Sequence, residues 1–325
     1  MYKFLIVGFG SIGKRHLDNL KKMEGVEVAV LTRRHIEIPG VELFRSLDEA
    51  LRRGSDAVFI TNETSAHIPA ALAFAERGCH LFIEKPLSHT LKDINRLSKL
   101  VKRHNLKVMI GCNMRFHPTI GLGRELVQKG AVGNIVAAQI QAGQYLPDWH
   151  PGRDYRQSYS ARRDKGGGVI LDLIHELDYA YWYFGAAERV FAFSGKKGNL
   201  EIETEDTAEI LLEFRNGVWC QVHLDYLRRS PARAFTLLGT EGIVEGDIIN
   251  NNVRVYEASR QNWEAGNTGG AYDNNEMYLA ELKHFISYLD GALPQPLIGL
   301  EDGINVLKIA LAARESARTG KAVRL

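Results

Sequence analysis

Short apolar runs alternate with amphipathic segments through the first third of the chain. The runs Lys3–Val7, Val26–Leu31, Val41–Phe44, Asp56–Ile60, Leu81–Ile83 and Lys107–Ile110 read as strands. Helical spacing fills the intervals. Leu17 and Leu20 mark a helix over Lys14–Met23, and Leu47–Arg53 is a short one. Ser65–Arg77 is Ala-rich, with Ser65 expected as its cap, Pro69 tolerated near its first turn and Gly78 as its end. In Leu91–His104, Leu91, Ile94, Leu97, Leu100 and Val101 share one stripe. Alternation of this kind predicts a doubly wound parallel α/β sheet.

The pattern changes after Pro118. A helix is expected over Ile120–Lys129, a long strand over Ile135–Tyr145 and one helix from Val169 to Phe184. Strands follow at Glu209–Phe214, Val218–Tyr226 and Arg233–Leu238. In Val218–Tyr226, Val218, Cys220, Val222, Leu224 and Tyr226 alternate with Trp219, Gln221, His223 and Asp225. That is an antiparallel strand with one buried face, the other being open to a partner subunit. Residues 262–275 read as a Gly/Asn-rich loop, and Glu276–Leu289 and Ile304–Arg318 as closing helices. The expected division is an α/β domain over 1–118 and an α+β domain over 119–325, with helix 304–318 packing back on the first.

Composition narrows the class. The chain has 325 residues, 45% hydrophobic and 25% charged, at a net charge of +2, so no global field draws it to nucleic acid. No apolar stretch approaches the ~20 residues of a membrane span. Only Phe4–Val7 separates Lys3 from Gly8, too short for a signal-peptide core. Cys79, Cys112 and Cys220 are odd in number and lack metal spacing. Reduced thiols in a cytoplasmic protein, without disulfide or metal, are expected.

Four polar motifs stand at strand ends. In an open parallel sheet, ligands bind outside the carboxyl ends of the strands, so the motifs point to one crevice. The first is Gly8-Phe9-Gly10-Ser11-Ile12-Gly13, between a strand and a helix. Gly8 permits the tight turn, Gly10 lets the backbone approach a pyrophosphate, and Gly13 lets helix and strand pack. The helix N-terminal amides then meet the phosphates of a dinucleotide. At the end of the second strand, Leu31-Thr32-Arg33-Arg34 carries no acid to bind a ribose 2′-hydroxyl; the first is Glu37. A guanidinium can grip a 2′-phosphate, so NADP(H) is favoured over NAD(H). Alternatively Arg33 and Arg34 are exposed charges and NAD binds through backbone contacts. The other motifs are Thr61-Asn62, Glu84-Lys85-Pro86 and Asn113-Met114-Arg115.

The order GFGSIG, TNETSAH, EKPLS, NMRF and GGGVILDLIHELD resembles the glucose–fructose oxidoreductase / inositol dehydrogenase / rhizopine-catabolism family. The segment from Glu301-Asp302-Gly303 to Thr319-Gly320 is also similar. The resemblance implies a Rossmann domain and a C-terminal domain whose large open sheet forms homodimers or homotetramers. It implies hydride transfer between a nicotinamide and a carbohydrate hydroxyl or ketone carbon. Cofactor contacts follow from Thr61, Asn62, His67, Glu84, Lys85 and Arg115, with Lys85 also catalytic or substrate-orienting. His175 is implied as the acid/base histidine, with Asp172 near it. The stretch YLPDWHPGRDYRQSY resembles a subgroup met in bacterial surface-polysaccharide sugar pathways. One departure is spacing: the family commonly sets this Asp and His four apart, whereas here they are three apart. Both spacings keep them on one helix face.

The chemistry agrees with that resemblance. Oxidising a secondary alcohol removes a hydride from carbon and a proton from oxygen; the nicotinamide takes the first and a protein group the second. A partly desolvated Lys85 suits that proton, with Glu84 holding it and a cis Pro86 aiming it inward. Gly166-Gly167-Gly168 lets the backbone before Asp172 and His175 approach a ligand closely. Glu176 and Asp178 read as structural, and Arg115 as either a cofactor or anion contact or a salt bridge. Tyr145, Trp149, His150, Arg153, Tyr155 and Arg156 form an aromatic and basic cluster. Aromatics stack on sugar rings and arginines grip carboxylates or diphosphates, which points to an anionic or nucleotide-linked sugar. An aromatic packing loop explains the cluster equally. Two other functions stay open: a non-catalytic nucleotide-binding sensor, and reduction of a non-sugar carbonyl or imine.

Overall fold

Runs of β-branched and aromatic residues form strands because extended backbone gives their side chains room to pack. β1 (Tyr2–Val7), β2 (Val26–Leu31), β3 (Glu42–Phe44), β4 (Ala57–Ile60), β5 (His80–Glu84) and β6 (Val108–Gly111) form a parallel sheet. Its order is β3-β2-β1-β4-β5-β6, that of dinucleotide-binding sheets. The runs are apolar throughout because both faces are covered: Phe4, Leu5 and Ile6, Ala57–Ile60, and Leu81, Phe82 and Ile83 are fully buried. The connecting helices are α1 (Ser11–Leu20), α2 (Leu47–Arg53), α3 (His67–Ala75) and α4 (Ile94–Arg103). A Ser46–Glu49 capping box starts α2. Two starts differ from expectation. A 3-10 turn, Thr64–Ala66, precedes α3, so Ser65 lies in that turn and does not cap. Asp93 takes a left-handed φ of 62°, which delays α4 to Ile94 and leaves Leu91 exposed.

The computed structural model describes residues 1–266 and 270–325. These form two compact units, Met1–Cys112 with Tyr278–Ile304, and Asn113–Met277 with Asn305–Leu325. The single cut after residue 118 is thereby corrected. Residues 278–304 complete the first unit because Phe285 packs on Phe59 and Phe82, with ring centroids 5.6 and 5.5 Å apart. The Ile110 amide also donates to the Ile298 carbonyl at 3.0 Å. The residues expected to pack back on the first domain, 305–318, group with the second unit.

The second unit contains α5 (Pro118–Gln128), β7 (Ile135–Gly143), α6 (Val169–Asp172) and α7 (His175–Phe184). Strands β8 (Ala187–Gly195), β9 (Thr207–Phe214), β10 (Trp219–Asp225) and β11 (Ala232–Gly239) follow, then β12 (Gly242–Asp247), β13 (Asn252–Glu257) and β14 (Asn262–Ala265). Helices α8 (Asn275–Leu289) and α9 (Leu300–Thr319) and strand β15 (Val323–Arg324) end the chain. The nine strands run β14-β13-β12-β11-β7-β10-β9-β8-β15, antiparallel except for β7 with β10. The expected loop over 262–275 is corrected at its start, where β14 pairs with β13; residues 267–269 lie outside the described residues. Alternation in β10 holds: Cys220, Val222 and Leu224 are fully buried, whereas Trp219 is 63% exposed. Phe193 and Leu211 are also exposed. Among the described residues, no helix is long and apolar enough to cross a membrane.

A charged triad lies on that second face. His223 Nδ1 is 2.6 Å from Glu209 Oε1, its register partner on β9, and Nε2 is 3.0 Å from Asp225 Oδ2. Gly143 faces Asp225 from β7, where a Cβ would lie 2.0 Å from Oδ2; glycine leaves the carboxylate its space. The hydrogen bond to Asp225, then Glu209, raises the His223 pKa against partial burial. Gln141 on β7 and Arg228 beside Asp225 complete its surroundings. A raised folded-state pKa stabilises fully below the unfolded value of about 6.5, and that stabilisation is lost as pH rises through the folded pKa. His223→Gln is therefore expected to cost about 1 kcal/mol or less at pH 6 and less still at pH 9, measured by urea denaturation at both.

Candidate functional site

In the first unit the site begins where β1 ends. Gly8 has φ +93°, and a Cβ there would lie 2.6 Å from Asn62 Cα. At Gly13 a Cβ would lie 2.4 Å from the Gly8 carbonyl and 2.7 Å from Thr61 Oγ1. Thr61 Oγ1 in turn donates to the Gly8 carbonyl at 2.8 Å. Glycine, Thr61 and Asn62 thus pack into one turn between β1 and β4. In front of Gly10, by contrast, an added Cβ meets nothing within 4 Å. Gly10 is also the N-cap of α1, with no side-chain cap and no acidic residue in the first turn. Open space before uncapped amides fits a dinucleotide pyrophosphate. Phe9 and Ile12 are half-buried beside it and Ser11 is exposed.

After β2, Thr32 is buried and its Oγ1 accepts from the Arg34 amide at 3.2 Å. Arg33 and Arg34 are exposed. Arg45 shapes this bend: its guanidinium donates to the carbonyls of Thr32 (3.2 Å), Arg34 (2.5 Å) and Ile36 (2.8 Å). Sequence reasoning missed Arg45, because only the fold brings the end of β3 to that loop.

The Lys85–Pro86 bond at the end of β5 is cis, and Lys85 is half-buried. Two neighbours are held by protein partners. His67 is fully buried, with Nδ1 2.9 Å from the Pro86 carbonyl and Nε2 3.1 Å from the Asn62 carbonyl. Burial pushes its pKa down. His67 therefore ties the loop after β4 to the Lys85–Pro86 bend. Glu84 is also buried, its Oε1 2.6 Å from His16 Nε2 on α1, so that oxygen braces the fingerprint helix.

In the second unit, Arg115 makes the salt bridge that was its alternative reading. Its Nε and Nη2 hold Asp178 Oδ2 and Oδ1 at 2.9 and 2.8 Å, with both side chains 1% exposed. Glu176 is likewise structural, gripping Arg233 at 2.7 and 3.0 Å.

The continuous helix expected from Val169 to Phe184 is broken. Leu173 takes φ −93° and ψ 35°, so Asp172 ends one short helix and His175 starts the next; the one-face argument fails. Asp172 is held by hydroxyls from outside the helix. Ser160 Oγ and Tyr226 OH donate to Oδ2 at 2.6 and 3.0 Å, and Tyr159 OH donates to Oδ1. Burial, with the Asp172 charge, drives the Tyr226 pKa far up, so its phenol remains a donor. His175 is buried.

Beside this cluster is a cavity of about 250 Å³, lined by Trp149, Leu173, Gln144, His117, Tyr272 and Arg233 among others. Trp149 donates Nε1–H to the Gln144 carbonyl at 3.2 Å and meets Tyr226 edge-on at 5.4 Å. Three other members of the predicted sugar-binding group have partners elsewhere. Arg229 stacks on Tyr145 at 3.4 Å. Tyr155 OH accepts from the Glu201 amide at 3.2 Å. Arg156 is exposed and pairs with Asp154 at 2.8 Å and Glu201 at 3.5 Å. Sequence reasoning missed His117, Gln144, Arg233 and Tyr272, which reach the cavity from four separate segments.

Residues 2–112 match the oxidoreductase family with an NAD-binding Rossmann fold, and residues 123–245 match the GFO/IDH/MocA C-terminal domain. The chain is 28% identical to myo-inositol 2-dehydrogenase of Thermotoga maritima, over 98% of this chain and 97% of that one. It is 29% identical to 1,5-anhydro-D-fructose reductase of Ensifer adhaerens, over 83% and 80%. Levoglucosan dehydrogenase in complex with NADH superposes with a TM-score of 0.87 at 20% identity, covering 99% and 98%.

Proposed function

Since the chain belongs to the GFO/IDH/MocA family of oxidoreductases, we propose that it moves a hydride between a nicotinamide and a hydroxyl- or ketone-bearing carbon of a sugar or cyclic polyol. The observation that carries this reading is the placement of the glycine turn, Thr61-Asn62 and Lys85-Pro86 on adjoining strands β1, β4 and β5. The relatives named for myo-inositol and anhydrofructose support a polyhydroxylated ring.

A bound nicotinamide dinucleotide supplies the hydride acceptor or donor. The Gly10 backbone and the first amides of α1 hold its phosphates. Lys85 takes the hydroxyl proton in oxidation and returns it in reduction. Three hydroxyls hold the oxygens of Asp172, and within that pair His175 is the alternative to Lys85 as the group that takes this proton. Three buried free cysteines suit a reducing, cytoplasmic setting. The direct test follows absorbance of reduced nicotinamide with NAD and NADP separately, across free sugars, cyclitols, sugar acids and nucleotide-linked sugars. No turnover despite nucleotide binding would favour the sensor or a non-sugar carbonyl or imine. A nucleotide-linked sugar of surface-polysaccharide metabolism is the second reading, drawn from the Tyr145–Tyr159 stretch. The pairing of Arg156 with Asp154 and Glu201 favours the simpler ring.

Arg33 and Arg34, exposed beyond the Arg45-held bend, suit a 2′-phosphate, so NADP(H) is the preferred cofactor over NAD(H). Arg33→Asp is expected to lower the ratio of NADPH to NADH affinity by about 10–100-fold, the worth of a charge-assisted hydrogen bond. An unchanged ratio in a fluorescence titration would sink the assignment.

Homo-oligomers are expected to form through the open sheet face bearing Phe193, Leu211 and Trp219. Trp219→Glu should reduce the mass seen by light scattering to that of a single chain.

A further inference from the structure

Every formal charge lining the second unit's cavity is already balanced. Arg233 is its arginine, and Glu176 holds that guanidinium at two points, 2.7 and 3.0 Å, from a fully buried position. Its Nη1 faces Met114 Sδ at 3.7 Å. His117 accepts from the Thr119 amide at 3.3 Å, and burial with the nearby Arg233 charge pushes its pKa down to about 4. It is neutral at physiological pH. Among the described residues, no Lys, Asp or Glu lines the cavity. The remaining polar groups, Gln144, Tyr272 and Asn274, are uncharged hydrogen-bonding partners, and Trp149, Leu173 and Met114 supply apolar surface. At about 250 Å³ the space falls below the ~300–1,000 Å³ of sites that enclose drug-sized ligands.

We propose that this cavity binds an uncharged, single-ring polyol and discriminates against the same ring bearing a carboxylate or phosphate. The inference deepens the oxidoreductase reading and rests on it for the ring chemistry. Hydroxyls exchange water for neutral donors and acceptors at little net cost, while the ring's carbon face lies on Trp149. An anion would lose its hydration and find the arginine already neutralised by a carboxylate that solvent cannot displace. The anionic sugar expected from the Tyr145–Tyr159 stretch is thus disfavoured at this cavity.

The test is calorimetric binding to NADP-loaded protein of matched pairs: glucose and glucuronate, galactose and galacturonate, mannose and mannuronate, with myo-inositol added. The neutral member of at least one pair should bind about tenfold or more tightly than its acid. Glu176→Gln, which unbalances Arg233, should shift that ratio toward the acid by about tenfold. Asn274→Lys, an exposed wall position, should shift it the same way without disturbing the buried pair. Acids binding as well as neutral rings, failure of every compound to bind, or a ratio indifferent to Asn274→Lys would overturn the proposal. Neutral rings that bind without nicotinamide turnover would leave it standing and remove the dehydrogenase reading. Turnover confined to charged rings would do the reverse.

Discussion

Lys85→Met is expected to lower turnover by about 10²–10⁴-fold, the range a positioned acid–base group contributes, while nicotinamide nucleotides still bind. Methionine keeps much of the aliphatic stem and removes the ammonium, so the half-buried bend before Pro86 keeps its packing. The loss should fall on kcat at saturating substrate, since proton transfer is made in the transition state and not on binding. The pH dependence of kcat/KM should also lose one limb. Turnover within a factor of about three of the parent would fall short of any general acid–base role and reassign Lys85 to packing.

Arg115→Met should act on stability instead. The Arg115–Asp178 pair is 1% exposed on both sides, so removing the guanidinium strands a buried carboxylate at a cost of about 3–5 kcal/mol. Urea denaturation at neutral pH reads this directly. Adding Asp178→Leu should recover most of the loss, because an apolar replacement of both partners is often neutral. Nucleotide affinity of the folded double variant should match the parent. A large loss of affinity with unchanged stability would restore Arg115 to the cofactor.

These two residues mark the line between what the chain discloses and what it hides. The place of Lys85 at a strand end was legible because β5 is an apolar, buried run that ends in a Glu-Lys-Pro signature. The glycine turn was legible for the same reason, with Gly8 and Gly13 at positions that exclude a Cβ. Arg115 was ambiguous because its partner lies 63 residues away on another helix. The break at Leu173 was hidden because Asp172 is held by Tyr159, Ser160 and Tyr226, which no helical periodicity encodes. His67 and Glu84 carried the right motifs, but their partners, main-chain carbonyls and His16, depend on how α1, β4 and β5 are placed. Local pattern finds the elements; partners distant in sequence decide which polar groups remain for chemistry.

The first unit has a consequence for how the chain is made. The last strand of its sheet ends at residue 111, yet Phe285 and Ile298, which complete the unit, come more than 170 residues later in the chain. During synthesis at roughly 5–20 residues per second, the Phe59–Phe82 surface waits on the order of ten seconds or more for that cover. The nascent half is therefore a client for chaperones over that interval, and a ribosome stalled before Phe285 would display an adhesive aromatic face.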